Sequence, residues 1–233
     1  MRTLLALALL AAPAPPAAPA RAAPAEGAAA SKGAPARAAS PEAAELSRLR
    51  RLEARYAPVD LKVDLSALPE SERRALAKLV EAARVMDALF LRQVWAGNEA
   101  LLLRLAADER PLGRARLAFF LRNKGPWDQL DQDRPFLAGV PEKPAAGTFY
   151  PAGMAKGEVR AWLDGLPEAQ RRLAAGFFSV VRRGPAGLAA VPYSQEYQPE
   201  LSEAARLLRE AASLSADPTL VAFLSRRADA LLS

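Results

Sequence analysis

The sequence predicts a mainly α-helical fold with one small β-hairpin, an α-rich member of the α+β class. After residue 41, apolar residues recur every three or four positions over most of the chain, and prolines and glycines separate these periodic stretches. Only residues 177–192 have the composition of two paired strands. With 233 residues, of which 51% are hydrophobic, the chain is long enough to bury a core.

The first 44 residues are predicted to lie outside the folded domain. Residues 1–25 have the pattern of a signal peptide, because a positively charged start precedes an apolar run over residues 4–12, and Ala20 and Ala25 suit cleavage. A short buried helix is the alternative, although prolines end the apolar run. Residues 26–44 are rich in Ala, Gly and Pro and predict a flexible linker. We therefore expect a periplasmic or secreted protein with no membrane anchor after cleavage.

The folded domain is predicted over residues 45–233, and its helical pattern already starts at residue 42. The first helix, over residues 42–55, carries leucines three residues apart along one face. Residues 59–65 alternate between apolar and polar, which we interpret as an extended connection rather than a strand. A long amphipathic helix then runs from about Pro69 to Trp95. Its predicted buried stripe consists of Leu76, Leu79, Val80, Ala83, Met86, Phe90 and Val94.

Shorter helices are predicted on both sides of a central irregular segment. Asn98 is expected to cap the first of them, and Gly125 is expected to end the second. These helices span residues 99–107, 112–124, 158–163 and 167–176. The predicted hairpin follows, with strands at 177–182 and 188–192 on either side of a connection that contains two glycines.

Two helices complete the predicted domain. The first spans residues 198–214, and Asp217 with Pro218 then provides a cap and a first-turn proline for the second. Aliphatic stripes over Leu201–Leu208 and Leu220–Leu232 are expected to remain exposed, because only two neighbouring helices and one hairpin are available to cover them. The sequence ends without a capping residue or polar tail, so we expect the domain to be incomplete at its C-terminus.

Cysteine and histidine are both absent from the sequence. This absence excludes disulfides, Ser-His-Asp triads, Cys-His pairs and the usual zinc sites from this chain. The net charge is +6, but the basic residues stand beside acidic ones and are not interleaved with aromatics, so no nucleic-acid partner is expected. Asp128, Asp131 and Asp133 lack the spacing of a calcium loop and are interpreted as exposed carboxylates.

Residues 125–154 form the irregular segment, and they hold several aromatics among five prolines. Unstructured connections of this length are uncommon inside compact domains and are usually functional or disordered. The aromatics of the segment include Trp127, Phe136, Phe149 and Tyr150, which a plain linker would not need.

Four segments carry a family resemblance. They are MDALFLRQVWAGNEALL (86–102), GPWDQLDQDRPFL (125–137), FYPAGM (149–154) and GFFSVVRR…GLAAVPYSQEY (176–197). In this order they resemble the N-terminal half of bacterial proteins related to dipeptidyl peptidase III, over residues 55–233. The resemblance implies the helical N-terminal lobe of a larger, two-lobed peptidase-like fold, in which the irregular segment would help to form one wall of the cleft. The candidate site residues that it implies are Trp127, Phe149 and Tyr150, held by packing against the helices. Direct contact of Trp127 or Tyr150 with substrate is the alternative.

The resemblance also implies an exported zinc-dependent hydrolase that acts on peptides. The family binds zinc through a His-Glu-x-x-x-His helix and a further glutamate, and this chain has no histidine. No catalytic or metal residue can therefore be assigned here, and no cofactor is expected in this chain, although zinc is expected in a full-length relative. Ala155-Lys156-Gly157 also departs from the acidic or hydroxyl-bearing helix start that relatives have after FYP.

The chain alone is accordingly expected to be inactive as an enzyme. The expected partner is the C-terminal catalytic half or, through an exposed apolar face, a second copy of the chain. A peptide substrate is a further candidate ligand. The alternative interpretation is an exported helical binding module that has no catalytic role.

Overall fold

Helices and two small hairpins make up residues 40–233, which are the residues that the computed structural model describes. The helices are α1 (Pro41–Glu53), α2 (Glu70–Val94), α3 (Asn98–Ala106), α4 (Pro111–Asn123), α5 (Lys156–Asp164), α6 (Glu168–Ala174), α7 (Tyr193–Glu196), α8 (Gln198–Leu214) and α9 (Pro218–Ala230). The strands are β1 (Trp127–Asp128), β2 (Arg134–Pro135), β3 (Ser179–Gly184) and β4 (Gly187–Pro192). The predicted α-rich fold class is confirmed, and the β1–β2 hairpin is added to the one that was predicted.

The start of the domain differs from the predicted linker boundary. Ser40 caps α1 by accepting a hydrogen bond from the Ala43 amide, so residues 41–44 are helical rather than part of a linker. Residues 1–39, which include the predicted signal peptide and most of the linker, lie outside the described residues. Residues 57–65 have no regular structure, as expected for an extended connection.

Three apolar clusters hold the described elements together. The first surrounds Phe119 and Phe120 of α4 and joins this helix to α1, α3 and the end of α2. The second joins α2 to α8 and α9 through small residues such as Ala75 and Ala211. The third consists of Leu89, Val180, Tyr197 and Leu201, and it attaches the β3–β4 hairpin to α2 and α8.

The buried face of α2 is not the predicted stripe. Ala75, Ala82 and Leu89 are buried at intervals of seven residues, and α8 packs along this helix. The predicted core residues that are instead exposed are Val80, Ala83, Met86 and Phe90. Alanines allow two helices to approach closely, so α8 covers the face with the smaller side chains and leaves larger apolar residues in solvent.

Asn98 does not have its predicted role, whereas Gly125 takes part in ending α4. Asn98 is buried and donates a hydrogen bond from Nδ2 to the Leu91 carbonyl at 2.9 Å, so it connects α2 to α3 instead of capping α3. At the end of α4, Lys124 has left-handed backbone at φ 53°, and the Gly125 amide donates to the Phe120 carbonyl at 3.1 Å. The Lys124 ammonium lies 2.6 Å from Asp87.

The β3–β4 hairpin is tighter than predicted. Its pairing extends to Gly184 opposite Gly187, so only Pro185 and Ala186 form the connection. Gly187 has φ +104°, which other residues rarely adopt. The predicted first strand also starts too early, because Phe177 and Phe178 precede β3 and are 89% and 77% exposed.

The last two helices have the predicted bounds but only part of the predicted exposure. Asp217 caps α9 by accepting hydrogen bonds from the amides of Thr219 and Leu220. Leu201 and Leu207 of α8 are buried, so the expected exposed stripe on α8 was wrong. On α9, Leu224 is buried, whereas Phe223 is 53% exposed and Leu232, just after the helix, is 40% exposed, so the expected exposure holds there in part. None of the helices in the described part of the chain has the length and apolar character that crossing a membrane requires.

Candidate functional site

The first part of the irregular segment packs Trp127 into the core. Trp127 is 2% exposed, and its indole N–H donates to the Pro141 carbonyl at 2.9 Å. Its ring meets that of Trp95 edge to face, with centroids 5.5 Å apart. Phe136 is also buried and contacts Phe119 in the same way. Trp127 therefore has the position of a packing residue and has almost no surface with which to contact a ligand.

The aspartates of this segment are all engaged by cations. Asp128 is buried and pairs with Arg55 while also capping a short 3₁₀ turn that starts at Gln129. Asp131 lies 3.8 Å from Arg134, and Asp133 lies 2.9 Å from Lys143. Across residues 40–233, no three His, Cys, Asp or Glu side chains lie close enough together to hold a metal ion.

The second part of the segment is fixed by backbone hydrogen bonds. The Thr148 amide donates to the Gln93 carbonyl at 2.8 Å, at the end of α2. Gly147 permits this contact, because a Cβ atom there would lie 2.4 Å from the same carbonyl oxygen and φ is +53°. The Val181 amide then donates to the Phe149 carbonyl at 2.8 Å, so the chain runs along β3 at this point. These bonds set the positions of Phe149 and Tyr150.

Phe149 and Tyr150 line a pocket of about 210 Å³ together with Phe177 and Tyr193. We call it the aromatic pocket. The remaining lining residues are Ala146, Ala174, Gly176, Ser179 and Val181. None of these lining residues is charged. The aromatic pocket therefore combines two of the three candidate site residues with two aromatics from other parts of the chain, and it excludes Trp127.

Tyrosines give the aromatic pocket its polar character. Burial, reinforced by the neighbouring phenols of Tyr197 and Tyr150, raises the pKa of Tyr193 above its ordinary value, so this hydroxyl stays neutral at physiological pH. Behind Tyr193, the Tyr197 hydroxyl is buried and has no hydrogen-bond partner among the described residues. The Arg92 guanidinium lies 5.3 Å from the centroid of the Tyr197 ring and pairs with Glu200.

Chemically, this arrangement suits binding rather than catalysis. Neutral phenols and phenylalanine rings favour an uncharged apolar group, and a volume of about 210 Å³ is below the range for a drug-sized ligand. No activated nucleophile or general base is present among the lining residues. The pocket matches the size of one inserted side chain better than that of a whole small molecule.

Sequence reasoning missed Phe177 and Tyr193 as members of this site. Phe177 and Phe178 were assigned to a strand, although adjacent strand residues point to opposite faces and two neighbouring phenylalanines suggest that at least one is exposed. Tyr193 offered no signal of its own, because the residues that it joins lie in two other parts of the chain.

A larger and shallower depression of about 700 Å³ lies on the outer side of α9. Its lining comes from this helix alone, and Arg227 covers part of the Phe223 ring at 5.5 Å from the centroid. It brings no groups from different elements together, so the aromatic pocket is the stronger candidate.

Comparison with known proteins shows similarity to two solved structures. The chain is 58% identical to dipeptidyl-peptidase III from Corallococcus sp. strain EGB over 80% of its length, with a TM-score of 0.77. It is 37% identical to DPP III from Caldithrix abyssi over 78% of its length, with a TM-score of 0.74. It covers 35% and 34% of those two chains.

Among curated proteins, Nudix hydrolase 3 from Arabidopsis thaliana is 34% identical to the chain over 242 aligned residues. This match includes 82% of the chain and 31% of the relative. The chain thus spans about a third of the length of each of these proteins. No protein-family model matches the sequence.

Proposed function

We propose that the chain serves as a non-catalytic part of a dipeptidyl-peptidase III, because it resembles a portion of that enzyme in both sequence and fold. The observation that supports this proposal is 58% identity to the Corallococcus protein together with a TM-score of 0.77 over 80% of the chain. The substrates would be peptides, as the name of that relative indicates. The chain would supply a helical scaffold, and cleavage would depend on residues outside the portion that it spans.

A catalytic zinc ion does not fit the residues of this chain. Zinc sites in proteins use histidine nitrogen and cysteine sulfur, usually with at most one or two carboxylates, and the sequence contains neither histidine nor cysteine. Asp128, Asp131 and Asp133 of the irregular segment are paired with arginine or lysine instead of facing one another. We therefore assign no metal chemistry to this chain, and propose that zinc in a complete relative is held elsewhere.

We also propose that residues 1–25 direct export, so that the assembled peptidase would act in the periplasm or outside the cell. Support comes from the sequence pattern of a charged start, a short apolar run and small residues at the cleavage positions.

The name of the Arabidopsis relative does not lead to a second proposal. The chain spans only 31% of that protein. The peptidase proposal is supported by two solved structures that match the fold of the chain. No contact in the aromatic pocket favours the activity that the name of the Arabidopsis protein gives.

A chimera tests the proposed function. Residues 40–233 would replace the matching segment of the Corallococcus dipeptidyl-peptidase III, and release of dipeptides from an oligopeptide would be measured. We expect the chimera to bind zinc and to retain activity within about tenfold of the parent, since a tenfold loss corresponds to only about 1.4 kcal/mol in transition-state stabilisation. The full chain alone should show neither zinc by elemental analysis nor dipeptide release.

The control is the parent with the matching segment deleted, which should be inactive. A chimera that binds zinc and resists proteolysis as the parent does, yet releases no dipeptide, would contradict the proposal. So would one tightly held zinc ion per molecule of the isolated chain.

A further inference from the structure

We propose that the aromatic pocket is a docking site for an apolar side chain from the part of a dipeptidyl-peptidase III polypeptide that this chain does not span. The inference rests on the proposed function and goes beyond it, because it specifies which surface of the chain contacts the remainder and what chemical group enters it.

The first step is the exposure at the rim of the pocket. Phe177 lines the pocket and is 89% exposed, and its neighbour Phe178 is 77% exposed. Tyr150, which also lines the pocket, is 37% exposed. Large apolar side chains that are exposed together beside a concavity are typical of interaction sites and unusual on the surface of a monomer.

The second step is that this surface is held in place without any partner. Phe149 is fixed by the Val181 amide, and its ring stacks on that of Tyr193 with centroids 6.3 Å apart. Tyr193 in turn meets the buried Tyr197 edge to face at 5.2 Å. Val180 of β3 is completely buried in the cluster with Tyr197. A rigid floor beneath an exposed rim is the geometry of a preformed binding site, which loses little entropy on association.

The third step concerns the chemistry of the occupant. The pocket has no charged lining residue, so a charged group would lose hydration there without gaining an ion pair. Its volume of about 210 Å³ corresponds to one side chain rather than to a whole ligand. The phenols of Tyr150 and Tyr193 can accept or donate one hydrogen bond each to backbone beside that side chain.

The fourth step identifies the source of this side chain. The chain covers 35% of the Corallococcus dipeptidyl-peptidase III and 34% of the Caldithrix protein while keeping their fold over 80% and 78% of its own length. About two thirds of each relative is therefore available to cover surfaces that are exposed here. A segment tethered to the same fold also has a high effective concentration, which favours it over a free peptide.

The test compares one substitution in two contexts. Phe177→Ser is introduced into the full chain and into the chimera described above, and thermal unfolding and dipeptide release are measured for both. In the isolated chain Phe177 is already in solvent, so the midpoint should change by less than about 1 °C. In the chimera the same substitution should lower the midpoint by at least about 2 °C, because a buried aromatic contact is lost.

Leu61→Ser is the matched control, since Leu61 is 91% exposed but lies in the extended connection before α2. It should leave the midpoint unchanged in both contexts. Equal destabilisation of the chimera by the two substitutions would overturn the assignment to the aromatic pocket, and so would an unaffected Phe177→Ser chimera.

Other occupants predict different results, and each of these results would overturn the proposal. If a peptide substrate enters the pocket, Phe177→Ser raises KM in the chimera and leaves its midpoint unchanged. If a second copy enters, the isolated chain sediments as a dimer and Phe177→Ser converts it to a monomer without affecting the chimera. A wild-type chimera that binds zinc and resists proteolysis but is inactive refutes the proposed function itself, whereas an active chimera that is insensitive to Phe177→Ser refutes only the docking site.

Discussion

Asp217 shows how one side chain can determine where a helix begins. Its carboxylate accepts hydrogen bonds from the Thr219 amide at 2.8 Å and the Leu220 amide at 3.4 Å, and Pro218 occupies the first helical position where no donor is needed. The roles of Asp217 and Pro218 could be predicted from the sequence, because the cap is adjacent in the chain to the helix that it starts. Asn98 has an equally suitable side chain for capping, but it is the first residue of α3 and Gly97 holds the cap position. Its Nδ2 donates to the Leu91 carbonyl, seven residues away, and its Oδ1 accepts no hydrogen bond among the described residues.

Replacing Asp217 should therefore weaken α9 in a graded way. We expect Asp217→Ala to lower the free energy of unfolding by about 1 kcal/mol, because two amides at the helix start lose their acceptor. Asp217→Asn keeps an acceptor at the same position and should stay within about 0.5 kcal/mol of the wild type. Urea unfolding followed by circular dichroism measures both. Equal midpoints for the alanine and asparagine variants would show that the cap contributes nothing.

At the scale of elements, the packing of α2 on α8 depends on small residues. Ala75 and Ala82 of α2 face a surface of α8 that contains Ala204, Ala205 and Ala211, all of them buried. Apolar residues of α2 extend beyond the face that α8 covers, so the periodicity of the sequence predicts a helix but cannot decide which of them are buried. The answer depends on the shape of α8, which lies more than a hundred residues further along the chain.

Two neighbouring alanines of α2 provide a direct test of this orientation. Ala82 is 5% exposed against the interior, whereas Ala83 is exposed, although the sequence placed Ala83 in the core. Ala82→Leu should lower the free energy of unfolding by about 1–3 kcal/mol through overpacking, and Ala83→Leu should change it by less than about 0.5 kcal/mol. Thermal and urea unfolding of both variants measure these changes in the free energy of unfolding. Greater destabilisation by Ala83→Leu would mean that the other face is buried.

Local sequence patterns predict single elements of the candidate site, but they do not predict which distant elements meet there. Helix α8 has the predicted bounds because its apolar spacing and the preceding and following breaks are local. The aromatic pocket joins residues near 149, 177 and 193, and no local pattern predicts that these meet. Sequence patterns could therefore direct attention to Phe149 and Tyr150, but only the folded hairpin adds Phe177 and Tyr193.

At the scale of the whole molecule, the chain keeps a coherent fold while it spans about a third of each solved relative. Its interior is formed by three apolar clusters, and its most exposed aromatics lie next to the aromatic pocket. Exposed apolar side chains lie just before β3, on the outer face of α2, in the connection that precedes α2 and on α9, and not on α8 as the sequence suggested.

Export is the prediction that concerns the molecule as a whole. Residues 1–45 fused to a reporter that is active only outside the cytoplasm should give activity, with cleavage near Ala20 or Ala25. The matched control replaces two leucines of the apolar run, Leu5 and Leu9, with arginine, which should abolish translocation because the run no longer remains apolar. Mass spectrometry of the reporter's N-terminus checks the cleavage site. An uncleaved fusion that remains in the cytoplasm would contradict the prediction.

The connection between α1 and α2 is exposed, and a protease can therefore reach it. Val59, Leu61 and Val63 are 74%, 91% and 78% exposed there, and the Lys62 side chain is 84% exposed, which suits trypsin.

Helix α1 does not depend on that connection for its position. Leu49 is buried in the cluster around α4, Glu45 and Glu53 pair with arginines of α4, and the Arg48 guanidinium donates to the Phe136 carbonyl at 2.8 Å. A nick after Lys62 therefore yields two polypeptides that separate on a denaturing gel yet migrate together under native conditions.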